Sequence, residues 1–165
     1  MQFARLVRHL FATRWGARRR FTPEVLAAIE RGIAAHESRH AGEIRFAIET
    51  AFDLPDLWYG LTPRQRAVVV FGQLGVWDTA GNNGVLIYVL MADRDVEIVA
   101  DRAIAERVRQ TDWEAVCHEM ETHFRAGRFA DGAEAGIAGV GRLLAQNFPG
   151  QGGDRNEQAD APVMI

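Results

Sequence analysis

His36-Glu37-Ser38-Arg39-His40 sets two imidazoles four residues apart with a carboxylate beside the first. On a helix that spacing brings both rings to one face, where His36 and His40 would hold zinc and Glu37 would activate a water. A zinc hydrolase is therefore one reading. The other is a polar last helical turn, since His and Arg suit the negative end of a helix and Gly42 follows two residues later. A second chemistry draws on oxygen donors. Glu37, His40 and Glu43 lie near a helix-to-strand junction, Asp78, Asn82 and Asn83 lie in a turn-rich segment, and Asp101 follows a later strand. Carboxylate and amide oxygens converging from several elements are what calcium or magnesium requires. Asp78 and Asp101 lead that candidate ligand set, and turn formation is the alternative role for Asp78, Asn82 and Asn83.

Other reactive groups are weaker. In His118-Glu119-Met120-Glu121-Thr122-His123 the histidines are five apart, so on a helix they diverge by about 140° and cannot share an ion. Cys117 falls on an apolar helical stripe, which predicts a buried structural thiol. The sequence has no Lys, which removes Schiff-base and lysine-base chemistry. Gly81-Asn82-Asn83-Gly84 precedes a strand, whereas phosphate loops precede a helix, so nucleotide binding has no support.

The elements that must position these groups follow from periodicity. Phe3, Leu6, Val7, Leu10 and Phe11 recur at helical spacing among Arg5, Arg8 and His9. Thr22-Pro23-Glu24 starts a helix that is expected to run to Gly42. Glu43–Thr50 alternates with period two, and Val85–Met91 is the most apolar stretch and so the central strand. Residues 53–61 read as a loop, and Thr62-Pro63 opens another helix. Ala92-Asp93-Arg94 is short enough to turn the chain into an antiparallel strand over Asp95–Ala100. A short helix around Ile104–Val108, a helix capped by Asp112 and a last helix over Ala130–Phe148 complete the core. A strand-helix-strand unit makes parallel neighbours, so the expected fold is a three-layer, Rossmann-like α/β sandwich with a small mixed sheet. Residues 1–20 are expected to form a basic amphipathic N-terminal helix, 21–149 the domain, and 150–165 an aperiodic tail expected to be disordered.

Composition bounds the function. The 165 residues are 48% apolar and 25% charged, typical of one folded domain, and a net charge of -3 offers no global field for nucleic acid. One thiol forms no internal disulfide, and the longest apolar run is far short of a membrane span. Arg8-His9 interrupts the only stretch that could serve as a signal-peptide core, so a cytoplasmic location is expected. The first 20 residues hold six Arg and no carboxylate, which suits either packing on the domain or docking on a membrane surface or membrane-protein partner.

Arg64-Gln65-Arg66-Ala67, Phe71-Gly72-Gln73-Leu74, Val76-Trp77-Asp78-Thr79, Asn83-Gly84-Val85-Leu86-Ile87-Tyr88 and Val96-Glu97-Ile98-Val99-Ala100-Asp101-Arg102 together resemble the TPM domain family. Phe124-Arg125-Ala126-Gly127-Arg128-Phe129 and Phe148-Pro149 are similar to its closing helices. The resemblance implies a helix-flanked, Rossmann-like sheet, divalent-cation binding in several members, and phosphatase activity with photosystem II repair in thylakoid members. Many exported relatives carry a signal sequence and a membrane helix; the chain resembles the cytosolic branch. Where many relatives have a Gly-rich turn after the third strand, it has Asp101-Arg102-Ala103. Three functions are expected from this: calcium or magnesium binding at the acidic sheet edge, a metal-assisted phosphatase with Arg66 or Arg102 neutralising phosphate, or a non-catalytic docking module that uses residues 1–20.

Overall fold

The computed structural model describes residues 3–150 and 156–165. Helices α1 (Phe3–Phe11) and α2 (Arg14–Arg20) are separated at Thr13, whose hydroxyl accepts from the Gly16 N–H at 3.1 Å and caps α2. Helix α3 (Pro23–Glu37) begins at the Thr22 cap with Pro23 in its first turn. It stops at Glu37, earlier than the expected Gly42, and Ser38 closes it by donating to the Ala35 carbonyl at 2.9 Å. Gly42 serves packing instead: a β-carbon there would stand 2.8 Å from Leu144.

Strand β1 (Glu43–Glu49) leads through α4 (Leu54–Trp58) and α5 (Pro63–Gln73) to β2 (Gly84–Leu90), and a turn returns the chain as β3 (Asp95–Ala100). Helix α4 occupies the segment expected as a loop, with Pro55 in its first turn. Then come α6 (Arg102–Ala105), α7 (Gln110–Arg125), α8 (Phe129–Asn147) and β4 (Val163–Met164). Arg109 is the residue at the start of α7, and Asp112, expected as the cap, lies in its first turn paired with Arg109 at 2.9 Å.

The sheet order is β3-β2-β1-β4, with β1 parallel to β2 and β4 and β2 antiparallel to β3. Glu43 stands opposite Gly84 and Ala47 opposite Tyr88. Every residue of β2 is buried, as its unbroken apolar run requires. Ile44, Phe46, Ile48, Val85 and Ile87 face the layer made by α3, α7 and α8, while Ala47, Leu86 and Tyr88 face α4 and α5. The expected three layers are therefore present. Fully burying such an aliphatic side chain contributes roughly 1.5–3 kcal/mol, so the two faces supply the main driving force. Helix α8 approaches α7 closely because a β-carbon at Gly136 or Gly139 would overlap Met120 or Val116.

One expectation about the ends changes. The tail expected after Gly150 carries β4, which pairs with Ala47 and Ile48, and the Ile165 N–H donates to the Ile48 carbonyl at 2.9 Å. Residues 151–155 of that expected tail lie outside the described residues. At the other end, α1 packs on the domain through Asp93 in the β2–β3 turn. Arg5 Nε reaches Asp93 at 2.8 Å, Arg8 reaches it at 2.9 Å, and buried His9 Nε2 stands 3.2 Å from it. Among the described residues, no helix is long and apolar enough to cross a membrane.

Candidate functional site

The parallel pairing of β1 and β2 starts both strands at one rim of the sheet, and β3 returns to the same rim. The Glu43 N–H donates to the Asn83 carbonyl at 3.0 Å and the Asp101 N–H to the Gly84 carbonyl at 2.8 Å. Glu43 and Asp101 thus flank the start of β2 on opposite sides. The remaining candidates divide between these two sides.

On the β3 side, Asp101 accepts from the Arg102 N–H at 2.6 Å through Oδ1 and caps α6, while its Oδ2 is buried without a partner. Asn82 is exposed in a left-handed conformation with φ 49°. Asp78 is an exposed turn residue whose N–H donates to the Gly75 carbonyl at 2.9 Å. Asn83 links the sides: its N–H donates to Thr79 Oγ1 at 3.0 Å and its side-chain amide donates to the Ala41 carbonyl. These residues build the turn that places β2.

On the β1 side, Glu37, His40, Glu43 and Asp160 line a cleft of about 240 Å³. Helix α3 ends at Glu37, whose Oε1 accepts from the Ile44 N–H at 2.8 Å. Glu43 opens β1, and its Oε2 accepts from the Gln158 N–H at 3.1 Å. Burial, with the nearby Glu43 and Asp160 adding to it and the Ile44 N–H opposing it, pushes the Glu37 carboxyl up to about 8. Burial raises Glu43 as well. His40 is 3% exposed and sits 3.0 Å through Nδ1 from the Gly42 carbonyl. A carbonyl only accepts, so Nδ1 carries the proton and Nε2 keeps a lone pair. That Nε2 is buried with no hydrogen-bond partner, and burial holds the ring below its ordinary pKa and therefore neutral. A backbone carbonyl holding the other ring nitrogen is also how metal-binding histidines are oriented.

Asp160 is the residue sequence reasoning missed, because it lies in the segment read as tail. The signal available was the apolar Val163-Met164-Ile165 after it. Glu43, Arg45 and Gln158 fasten this segment to β1, with Arg45 donating to the Ala161 carbonyl at 3.0 Å.

Among the described residues, no three His, Cys, Asp or Glu side chains already stand around one point as ligands. The His36–His40 zinc geometry is absent because α3 ends between the two rings. His36 packs at Gly141 and lines a different cleft from His40. His118 and Glu119 lie on an exposed helix face. Cys117 is half-buried, and burial, with Glu97 and Glu121 adding to it, pushes its thiol up to about 12, which makes it inert.

The two arginines considered for phosphate stand away from the acidic cleft. Arg66 on α5 grips Glu49 at the opposite end of β1 through Nε at 2.8 Å and a second nitrogen at 2.9 Å. The Tyr88 hydroxyl donates to the same carboxylate at 2.5 Å. Arg102 is exposed on the β3 side.

Three comparisons bear on this geometry. A family model described as TPM domain matches residues 18–143. The NMR structure of BA42 protein from the psychrophilic bacterium Bizionia argentinensis is similar at 31% identity and a TM-score of 0.73, covering 87% of this chain and 94% of that one. The N-terminal domain of a P. gingivalis protein is similar at 20% identity and a TM-score of 0.60, covering 77% of this chain and 78% of that one. The N-terminal domain of cg2496 protein from Corynebacterium glutamicum shares the fold at 13% identity and a TM-score of 0.56, with coverage of 83% and 82%. No curated protein matches the chain.

Proposed function

The chain belongs to the TPM domain family, and from that premise we propose that it binds a divalent cation in the cleft between the end of α3, the start of β1 and the segment before β4. The observation that carries this reading is the meeting of three carboxyl groups, Glu37, Glu43 and Asp160, in one partly buried cleft, where backbone N–H groups oppose Glu37 and Glu43 while the Asn156 amide and the nearby Arg45 oppose Asp160. Burial first, and repulsion from Glu43 and Asp160 second, keep Glu37 protonated in the protein on its own. A cation answers that repulsion better, because it would neutralise all three and displace that proton. The buried lone pair of His40 Nε2 is a further donor.

Oxygen donors dominate this set, which suits calcium or magnesium, and one imidazole widens the choice toward manganese or zinc. The side chains reach a common ion by rotating from the arrangement they hold without it. Binding would tie Asp160 to α3 and β1 and so reinforce the seat that the segment before β4 already has on the sheet. No phosphate-neutralising arginine lines this cleft, and the proposal is binding without catalysis.

Calorimetric titration of chelator-stripped protein with calcium, magnesium, manganese and zinc tests it. The expected result is one site with saturable heat and a rise in melting temperature, both lost in the Glu37→Gln/Asp160→Asn double variant. Absence of heat and of any melting shift with all four ions, or binding that the double variant retains in full, overturns it.

A further inference from the structure

Outside the acidic cleft, the most unusual surface is the exposed apolar one. Of the large apolar side chains left open to solvent, Phe3, Leu10, Phe11 and Trp15 come from α1 and α2, and Leu54, Trp58 and Tyr59 from α4 and its end. Phe11 is 79% exposed, Trp15 67%, Trp58 76% and Tyr59 87%. Such a concentration on a folded domain marks a contact surface, since single apolar residues scattered over a surface would carry no meaning.

The two segments are neighbours. Phe52, two residues before α4, donates its N–H to His9 Nδ1 at 2.9 Å, and Arg5 donates to the Leu61 carbonyl at 3.1 Å. Leu10 and Arg14 from one segment and Leu54 from the other line one open cleft. The α1–α2 part of this surface is cationic, while Asp53 and Asp56 at α4 line the same cleft from the other side. The first 20 residues carry six arginines and no carboxylate, in a chain whose net charge is -3. Arg5 and Arg8 are occupied by Asp93, but Arg14, Arg18 and Arg19 have no carboxylate within 4.0 Å among the described residues. Arg19 lies over the Trp15 ring at 4.5 Å, which places cation and aromatic together.

We propose that α1, α2 and α4 form a docking face for an anionic phospholipid bilayer. Exposed Trp, Tyr and Phe beside arginines match the layer where acyl chains meet phosphate headgroups: the rings enter the interface and the guanidiniums pair with phosphate. Charge complementarity decides the occupant, because a neutral apolar partner would leave the arginines without counter-charges. The contact is peripheral, with the rings resting in the interface.

Flotation of the full chain with phosphatidylglycerol–phosphatidylcholine vesicles, against phosphatidylcholine alone, tests this. The expected outcome is at least tenfold stronger partition onto the anionic vesicles, weakened by raised salt, with a blue shift of tryptophan fluorescence. The Trp15→Ser/Trp58→Ser variant and the Arg18→Gln/Arg19→Gln variant should each lose most of it while melting as the parent does. These side chains are exposed, so folding is not at stake. Equal partition onto both vesicle types, no partition at all, or partition that both variants retain would overturn the proposal. So would concentration-dependent self-association without vesicles that the tryptophan variant abolishes, which would assign the face to a second copy of the chain.

Discussion

Gly84 lies against the backbone of Val76 with no room for a β-carbon: one placed there would run into the Val76 carbonyl oxygen and stand 2.9 Å from Val76 Cγ1. The contact holds the turn before β2 under the start of the strand, between Glu43 and Asp101. Gly84→Ala should therefore cost about 3 kcal/mol through overpacking against backbone, which cannot give way as a side-chain tip can. Denaturant unfolding measures it. Gly75→Ala is the control at a turn with open space but φ 65°, where only backbone strain applies, and it should cost about 1 kcal/mol.

This glycine also shows what could be read from the sequence. The Asn83-Gly84-Val85-Leu86 stretch marks the start of the central strand, period-two alternation marks a strand over Glu43–Thr50, and the strand-helix-strand order makes the two parallel, so the shared rim follows. Side-chain orientation does not. Asp101 reads as a ligand from sequence, and in the fold its Oδ1 accepts from the Arg102 N–H at the start of α6, a local bond that competes with an ion for that oxygen while Oδ2 is left without a partner. Asp160 was hidden for a different reason. A two-residue strand has no periodicity to detect, and its place depends on Arg45 and Glu43 more than 110 residues earlier. Helix α4 was likewise masked because five residues that begin with Leu54-Pro55 resemble a turn as much as a helix.

His9 gives the domain a pH dependence with a definite sign. Its Nδ1 accepts from the Phe52 N–H, so the ring is neutral with the proton on Nε2, facing Asp93. Burial lowers its pKa from 6.5, and the positive charges of Arg5 and Arg8 act in the same direction, against Asp93, which raises it. The unfolded chain then binds the proton more readily, and the stability His9 contributes is present above about pH 6.5 and is lost as pH falls toward the folded value. Melting curves between pH 7.5 and pH 5 should fall more steeply for the natural protein than for His9→Asn, which keeps an acceptor for Phe52 and does not titrate. Parallel curves would refute this.

Removing residues 156–165 should uncover the edge of β1. The cut deletes the Ile165 and Gln158 bonds to β1 and leaves Arg45 without the two carbonyls it holds. A loss of roughly 2–3 kcal/mol is expected from buried polar groups left unpaired. An exposed parallel edge also invites pairing between chains, so light scattering should rise with concentration. A truncated chain that melts as the full one does and stays monomeric would mean that β4 contributes little to the sheet.

Glu49, Arg66 and Tyr88 should behave as one unit. Glu49 is 8% exposed, and its two oxygens are satisfied by the Arg66 guanidinium and the Tyr88 hydroxyl. Arg66→Met strands a buried carboxylate and should cost about 3–5 kcal/mol, because the desolvation already incurred loses its compensating partner. Replacing all three groups by apolar ones of similar shape, Glu49→Leu with Arg66→Met and Tyr88→Phe, removes charge and hydroxyl together. That triple variant should be more stable than the Arg66→Met single variant, although it carries two more substitutions. Chemical denaturation of the two decides the point. If the triple variant is the less stable, Arg66 contributes through the packing of its stem along α5, and the ion pair is not what holds the carboxyl end of β1 in place.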